Sequence, residues 1–257
     1  MIMLLNNMAR VIAVANQKGG VGKTTTVLNL GSALHKEGRR VLLVDLDPQA
    51  ALSASLSPPQ TKAPNTVYQV LLSQTPASQA IRPGANGPDL VPADLDLAAA
   101  ELELSAEMGR ERILADALAS VKDRYDFILI DCPPSLGLLT VNALVAAGEV
   151  LIPLQCEYMA MRGLGSLLRT IEKVKAKLNS SLEVAGILVT MYNGRTLHGQ
   201  EVLDEVRKSF GEKVLKSIVK ASVRFKEAPA AGLSIIDYDP SHEGARAYQE
   251  LARELIG

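Results

Sequence analysis

The chain has 257 residues, of which 47% are apolar and only 4% aromatic, enough for one large α/β domain. This composition excludes a disordered chain and predicts a core of Val, Ile, Leu and Ala between helices and a parallel sheet. The formal net charge is −1, so the overall charge of the molecule does not attract polyanions. Any contact with nucleic acid must therefore be made by a local basic patch.

The first residues and the cysteines argue against export. We expect residues 1–8 to form a loosely ordered leader, since Met8 directly precedes the first recognisable strand. The run 1–5 lacks the positive charge and cleavage site of a secretion signal, and the longest apolar runs are shorter than the ~20 residues of a membrane span. Two cysteines without a C-x-x-C pair disfavour a disulfide framework or a zinc site. A cytoplasmic location is therefore expected.

Five short apolar runs alternate with helical patterns along the chain. The runs are typical of buried parallel strands and lie at 11–15, 41–44, 127–130, 150–154 and 184–190. The helical patterns lie at 24–37, 111–122, 136–147, 160–178 and 241–256. The composition of residues 57–92, which are rich in Pro, Ser, Gln and Gly, predicts a surface excursion with short strand-like or helical fragments such as 67–72. The alternation predicts a single α/β domain over 1–257, with three layers and a doubly wound, mostly parallel sheet.

A glycine-rich segment separates the first predicted strand from the first predicted helix. It reads Asn16-Gln17-Lys18-Gly19-Gly20-Val21-Gly22-Lys23-Thr24-Thr25. The ordinary phosphate-loop pattern G-x-x-x-x-G-K-[ST] is broken, because Gln17 stands where its first glycine would fall. The segment is therefore a deviant form with a second lysine. Its backbone N–H groups and the following helix predict an anion cradle. A glycine turn without a ligand is the alternative.

The residue types in this loop predict ATP or ADP with Mg²⁺ as the cofactor. Lys23 would neutralise the β- and γ-phosphates, and the Thr24 hydroxyl would complete the Mg²⁺ site. Two lysines so close together can hardly both serve one phosphate tail, so Lys18 invites another role, with a solvated surface lysine as the alternative. The predicted loop contacts to the nucleotide are Gln17, Lys18, Gly19, Gly20, Val21, Gly22, Lys23, Thr24 and Thr25.

Acidic residues follow two of the predicted strands. Asp45 and Asp47 come after 41–44, and Asp131 follows 127–130. Open α/β sheets bind ligands at the carboxyl ends of their strands, where a carboxylate holds the hydration shell of Mg²⁺ or orients the attacking water. We predict Asp131 at the metal with Asp45 in support, and Asp47 as the group that orients water. Helix caps or turn residues are the alternative. The predicted catalytic set is Lys18, Lys23, Asp47 and Asp131.

These segments resemble the ParA/Soj family of partition ATPases, and the similarity extends over nearly the whole chain. The resemblance is also carried by Gln155-Cys156-Glu157-Tyr158, by 186–192 and by Glu227-Ala228-Pro229. It implies a P-loop ATPase of the deviant Walker type, whose ATP-sandwich homodimer places Lys18 at the partner's nucleotide. It further implies binding to non-specific duplex DNA, association with the nucleoid, and a ParB/Spo0J-like partner that stimulates hydrolysis at a chromosome origin or plasmid.

The resemblance also implies contacts beyond the phosphate loop. Met191 and Ser222 would line the nucleotide, although Lys220-Ala221-Ser222 stands where many relatives have Pro-Arg-Asn. Between 207 and 226 the chain has seven basic residues against the single acid Glu212, a pattern that a solvated helix face would also produce. Few aromatic residues interrupt this stretch, which favours binding to the duplex backbone over base stacking. The predicted DNA contacts are Arg195, Lys216, Lys220, Arg224 and Lys226.

Other functions use a similar nucleotide site. A MinD-like ATPase binds membranes through a basic amphipathic tail, but residues 250–257 contain two acids, so no membrane partner is expected. The lack of C-x-x-C disfavours an iron–sulfur carrier. Bacterial tyrosine kinases share the deviant loop, but the Tyr-rich tail that would indicate such a kinase is not found in this sequence. A ParA-like ATPase that positions a protein cargo, such as a carboxysome, stays open.

Overall fold

Seven parallel strands form the centre of the fold. The computed structural model describes residues 9–56, 65–73, 75–156, 160–194 and 197–257, so the predicted leader 1–8 lies outside the described residues. The strands are β1 (Arg10–Val14), β2 (Val41–Asp45), β3 (Asp89–Val91), β4 (Phe127–Asp131), β5 (Glu149–Gln155), β6 (Glu183–Tyr192) and β7 (Val214–Lys220). Their order across the sheet is β3-β2-β4-β1-β5-β6-β7, and every pairing between them is parallel.

Helices cover both faces of this sheet. They are α1 (Lys23–Lys36), α2 (Ala51–Leu56), α3 (Val67–Leu72), α4 (Ala77–Ala80), α5 (Leu97–Leu104), α6 (Ile113–Ala119), α7 (Leu138–Ala146), α8 (Ala160–Lys177), α9 (Leu197–Phe210), α10 (Arg224–Ala230), α11 (Ile235–Tyr238) and α12 (Glu243–Ile256). None of the described helices is long and apolar enough to cross a membrane.

The sheet separates two apolar cores because successive side chains of a strand point to opposite faces. In β1, Ile12 packs with α1 and α12 on one face, whereas Ala13 packs with α5, α7 and α8 on the other. The strands β1, β2 and β4 are buried on both faces, which explains their nearly continuous apolar sequences. The predicted three-layer, doubly wound fold is confirmed.

Two strands were not predicted from the sequence. β3 lies inside 57–92, where the sequence predicts a surface excursion with short strand-like or helical fragments. The predicted surface position was wrong, because β3 forms one edge of the sheet and Val67, Val70 and Leu71 of α3 are buried in the core. β7 forms the other edge and lies inside the basic stretch 207–226. Its side chains alternate between buried and exposed positions, because only one face of this strand packs against the core. The basic stretch is therefore not one helix face: it includes the end of α9, β7 and the start of α10.

Candidate functional site

The predicted site residues meet at the carboxyl edge of the sheet. The loop 15–22 leaves β1, and the neighbouring strands β2, β4, β5 and β6 end around it. In the parallel register, Val14 lies beside Asp131 and Asp131 lies beside Asp45. This arrangement brings carboxylates from two strands against the phosphate loop, as the sequence predicts.

The loop has the backbone conformation of an anion cradle. Gly20 and Gly22 have φ of 73° and 87°, values that residues with a Cβ rarely adopt. Gly22 is also the N-cap of α1, so the first-turn N–H groups, which lack partners within the helix, point towards the ligand side. The Thr190 hydroxyl donates to the Val21 carbonyl at 2.8 Å, which fixes the loop to the end of β6.

Lys23 is held within this cradle. Its side chain is 6% exposed, and its Nζ donates to the Lys18 carbonyl oxygen at 3.2 Å. Burial lowers the pKa of Lys23, while the charges of Asp131 and Asp47 act to raise it. The Lys23 ammonium is suited to bind an anionic ligand, and the two nearby carboxylates are suited to bind a cation that accompanies this ligand.

Lys18 has a different position from Lys23. Its backbone N–H donates to Asn16 Oδ1 at 3.0 Å, and its Nζ donates to Gln155 Oε1 at 3.3 Å. Asn16 in turn donates from Nδ2 to the Pro153 carbonyl at 2.7 Å. The extra lysine therefore lies against the end of β5 and not inside its own cradle, which leaves the cradle to Lys23.

Asp131 is a buried carboxylate whose oxygens lack a hydrogen bond. It is 0% exposed, and no group in the described part of the chain donates a hydrogen bond to either oxygen. Burial raises the pKa of Asp131 well above its usual range, and Asp45 raises it further. The Thr24 hydroxyl, which lies nearby but outside hydrogen-bonding geometry, and the Lys23 ammonium act to lower it. Leaving such a group without a partner is costly, so these oxygens fit a cation.

The other two acids form one hydrogen-bonded turn. Asp45 is fully buried, and its Oδ2 accepts from the Ser53 N–H and hydroxyl. Its Oδ1 accepts from the Asp47 N–H at 3.2 Å. Burial raises the pKa of Asp45 to about 6 in spite of these bonds. Asp47 is 9% exposed and lies close enough to Lys23 to affect its pKa. Asp45 is thus bonded within the turn, whereas Asp131 faces the loop without a donor.

Met191 and Ser222, which are predicted to line the nucleotide, lie near the ends of β6 and β7. Met191 has a φ of 51°. Its Cε lies beside Gly22 of the loop, 3.9 Å from where a Cβ on this glycine would be. The Ala221 N–H donates to the Tyr192 carbonyl at 3.2 Å, which joins 220–222 to the end of β6. The Ser222 hydroxyl shares a hydrogen bond of 3.1 Å with His242 Nε2. Met191 therefore borders the loop, while Ser222 is held against α12.

The predicted DNA contacts are exposed on β7 and α10, and two of them form ion pairs. Lys220 Nζ lies 2.8 Å from Glu243, and Arg224 lies 2.7 Å from Glu227. Lys216 and Lys226 are exposed, and neither pairs with an acid among the residues that the structure describes. Arg195 lies outside the described residues.

Three residues of the site were missed by the sequence reasoning: Asn16, Gln155 and Thr190. Each is a polar residue at or just after the carboxyl end of an apolar strand. The same rule that selected the aspartates could have found them. Their partners, which lie more than 100 residues away along the chain, have no local signal.

The residues present fit a nucleotide with magnesium. The cradle supplies N–H groups and Lys23 for phosphates, and Thr24 and Asp131 supply hard oxygen ligands of the kind that Mg²⁺ prefers. No group of three or more His, Cys, Asp or Glu side chains suited to a metal occurs in the described ranges. Fold and site together define a P-loop NTPase of the deviant Walker type.

Comparisons with known proteins agree with this class. A family model described as an AAA domain matches residues 9–184. The chromosome partitioning protein ParA of Caulobacter vibrioides is 46% identical over 253 residues, which cover 97% of this chain and 95% of that protein. The sporulation initiation inhibitor protein Soj of Bacillus subtilis is 47% identical over 249 residues, 96% of this chain and 98% of that protein.

A solved structure is similarly close. The protein from Mycobacterium smegmatis described as cobyrinic acid a,c-diamide synthase, with bound ADP and magnesium, has a TM-score of 0.85 and 44% identity, covering 97% of this chain and 94% of that chain. The chain belongs to the ParA/Soj family of partition ATPases. The predictions of an ATPase and of ATP or ADP with Mg²⁺ as its cofactor are confirmed.

Proposed function

We propose that this ATPase forms a homodimer with ATP between the two subunits, binds non-specific duplex DNA in that state, and positions a chromosome origin or plasmid. A ParB/Spo0J-like partner on the cargo stimulates hydrolysis, and the protein, acting as one domain over 1–257, is cytoplasmic and associated with the nucleoid. The relatives named ParA and Soj support this role.

Each residue of the site has a separate role in ATP hydrolysis. Lys23 and the loop N–H groups hold the phosphates, while Thr24 and Asp131 hold Mg²⁺, which neutralises charge that develops on the phosphoryl group. Asp47 orients the attacking water. Lys18 reaches the nucleotide of the second subunit, where a cation supplied in trans stabilises the transition state in the manner of an arginine finger.

One observation supports the link between nucleotide and DNA. The segment that carries Lys220 and leads into α10 is bonded to the end of β6 through the Ala221 N–H and the Tyr192 carbonyl, directly after Met191 beside the loop. The carboxyl end of β6 therefore contacts both the nucleotide-binding loop, through Met191, and the segment that follows Lys220. Dimerisation doubles the number of basic residues available to one duplex, and each phosphate contact adds about 0.9 to the logarithmic salt slope of binding.

A test of DNA binding uses the exposed basic residues of α10. Arg224→Ala combined with Lys226→Ala should weaken binding of the ATP-bound protein to a fluorescent random-sequence duplex, and should lower its salt slope by roughly two for each subunit that contacts DNA. Fluorescence polarisation over a salt series measures both.

The matched control is Lys173→Ala combined with Lys177→Ala, which removes the same charge from exposed positions of α8. We expect this control to bind DNA like the unaltered protein. Equal weakening by both variants would mean that net charge alone governs binding, and unchanged binding by the α10 variant would place the DNA surface elsewhere.

A further inference from the structure

The hydroxyl of Ser53 joins three elements behind the acidic residues. It donates to Asp45 Oδ2 at 2.6 Å and accepts from the Ala93 N–H at 2.8 Å. The Ser53 N–H donates to the same Asp45 oxygen at 2.8 Å. Ser53 itself is 7% exposed. One buried hydroxyl therefore connects the end of β2, the first turn of α2 and the segment that follows β3.

Asp45 transmits this arrangement to the turn that carries Asp47. The remaining oxygen of Asp45 accepts from the Asp47 N–H at 3.2 Å. Asp47 then accepts from Gln49 N–H through Oδ1 at 2.9 Å and from Ala50 N–H through its carbonyl at 2.8 Å. Ala50 has a φ of 50°, which is unfavourable for alanine. A turn that includes such a residue persists only when its surroundings fix it, and Asp45 supplies part of that support.

The same carboxylate lies next to the metal side of the site. Asp45 and Asp131 are neighbours in the parallel register of β2 and β4, and the Leu46 N–H donates to the Asp131 carbonyl at 3.0 Å. No group within the described residues donates a hydrogen bond to the Asp131 carboxylate. A rotation of the Asp45 side chain would therefore change both the direction of Asp47 and the charge that faces Asp131.

We propose that Ser53 is a positioning residue for ATP hydrolysis, which acts by fixing the Asp45 carboxylate so that Asp47 faces the γ-phosphate. This inference rests on the proposed role of Asp47 and is independent of the proposed binding to DNA. Ser53 acts through Asp45 and touches neither nucleotide nor metal, so its loss affects the rate of hydrolysis more than the affinity for ATP.

The kinetic test compares Ser53→Ala with Ser53→Thr. Ser53→Ala should lower kcat about 10- to 100-fold, the effect of losing one hydrogen bond to a charged group, with the Kd for ATP changed less than about twofold. Ser53→Thr keeps the hydroxyl and should restore most of the rate. Ser55→Ala is the matched control, because the Ser55 hydroxyl lies on the same helix and, among the described residues, bonds only the Ala51 carbonyl.

A second measurement follows the hydrogen bonds themselves. In nucleotide-free protein, Ser53→Ala should accelerate hydrogen exchange at the Ala93 amide, which loses its acceptor, and at the Asp47 amide. Ser55→Ala and Ser53→Thr should leave both amides protected. If Ser53→Ala is too unstable for kinetics, Ser53→Cys replaces it, since cysteine keeps the size of serine with a weaker donor.

Several outcomes would overturn the inference. These are a normal kcat in Ser53→Ala, a loss of ATP affinity as large as the loss of kcat, or a folded Ser53→Thr protein as slow as Ser53→Ala. Asp47→Ala is measured in parallel. Slow hydrolysis in Asp47→Ala with normal hydrolysis in Ser53→Ala rejects only the role of Ser53. Normal hydrolysis in both removes Asp47 from the proposed function.

Discussion

The two lysines of the phosphate loop have different surroundings, and this difference separates their roles. Lys23 is buried beside Asp47 and Asp131, and its Nζ is directed into the loop at the Lys18 carbonyl. Lys18 is partly exposed and extends towards Gln155. A lysine that is buried next to carboxylates is placed to bind phosphates of its own subunit, whereas one at the rim is placed to meet another molecule.

Lys23→Ala should abolish nucleotide binding. Truncating one partner of a buried, hydrogen-bonded charge pair between protein and ligand costs about 2–5 kcal/mol of binding free energy, which corresponds to a loss of ATP affinity of roughly 30- to 5000-fold. Binding of a fluorescent ATP analogue with Mg²⁺ measures this loss. Lys173→Ala, at an exposed position of α8, should bind normally. Unchanged affinity in Lys23→Ala would contradict the assignment of the cradle.

At the scale of elements, α12 holds the nucleotide-binding helix in place. Tyr248 of α12 is 1% exposed, and its hydroxyl lies 3.2 Å from that of Thr26 in the first turn of α1. Its ring meets Phe225 of α10 edge to face, at 5.9 Å between centroids. Because the apolar face of α12 packs in this core, that face is already used by the fold and is not exposed for contact with a lipid surface.

Replacement of Tyr248 tests this packing. Tyr248→Ala should lower the free energy of unfolding by about 3–5 kcal/mol, as expected for loss of a buried aromatic side chain. Tyr248→Phe removes only the hydroxyl and should cost about 1 kcal/mol. Urea denaturation followed by circular dichroism measures both. A loss below about 1 kcal/mol in Tyr248→Ala would show that α12 contributes little to the support of α1.

The edge strand β7 is protected by the same helix. Glu254 of α12 accepts from the N–H groups of Lys216 and Ser217 at 2.8 and 3.1 Å, and from the Ser217 hydroxyl at 2.8 Å. Backbone donors at a sheet edge otherwise offer a place for another strand to pair. The Glu254 carboxylate therefore covers part of this sheet edge, while the side chain of Lys216 stays exposed to solvent.

At the scale of the whole molecule, the nucleotide site opens along one edge of the sheet. The cradle, Lys18 and Asp47 all lie at the carboxyl ends of the strands. Gln17, Gly19 and Gly20 are exposed there, so a second subunit can approach the bound nucleotide. The proposed homodimer depends on this approach, because ATP then becomes part of the interface between subunits.

Asp47→Ala should stop hydrolysis and accumulate the ATP-bound dimer. Light scattering at saturating ATP and Mg²⁺ should give twice the monomer mass for Asp47→Ala, and this dimer should bind DNA. Adding Lys18→Ala should return the monomer mass. A monomer in the single variant under these conditions would reject the proposed dimer, and normal turnover would remove Asp47 from the mechanism.

Local sequence determined much of this protein. The deviant phosphate loop is contiguous, so its glycines, which lack a Cβ and adopt positive φ, and the start of α1 indicate its conformation from local sequence. The bond from the Thr190 hydroxyl then fixes this loop to the end of β6. The aspartates at 45, 47 and 131 follow strands that are apolar enough to recognise, and the rule that ligands bind at the carboxyl ends of such strands placed them together.

Tertiary structure alone decided the rest. β3 and β7 escaped prediction, because an edge strand lacks the continuous apolar run of a strand that is buried on both faces. The Lys18–Gln155 contact, the ion pair of Lys220 with Glu243, and the bond between Ser53 and Ala93 depend on which residues the fold brings together. The sequence specifies the groups that bind phosphate locally, but hydrogen bonds between distant residues form only when packing has fixed their positions.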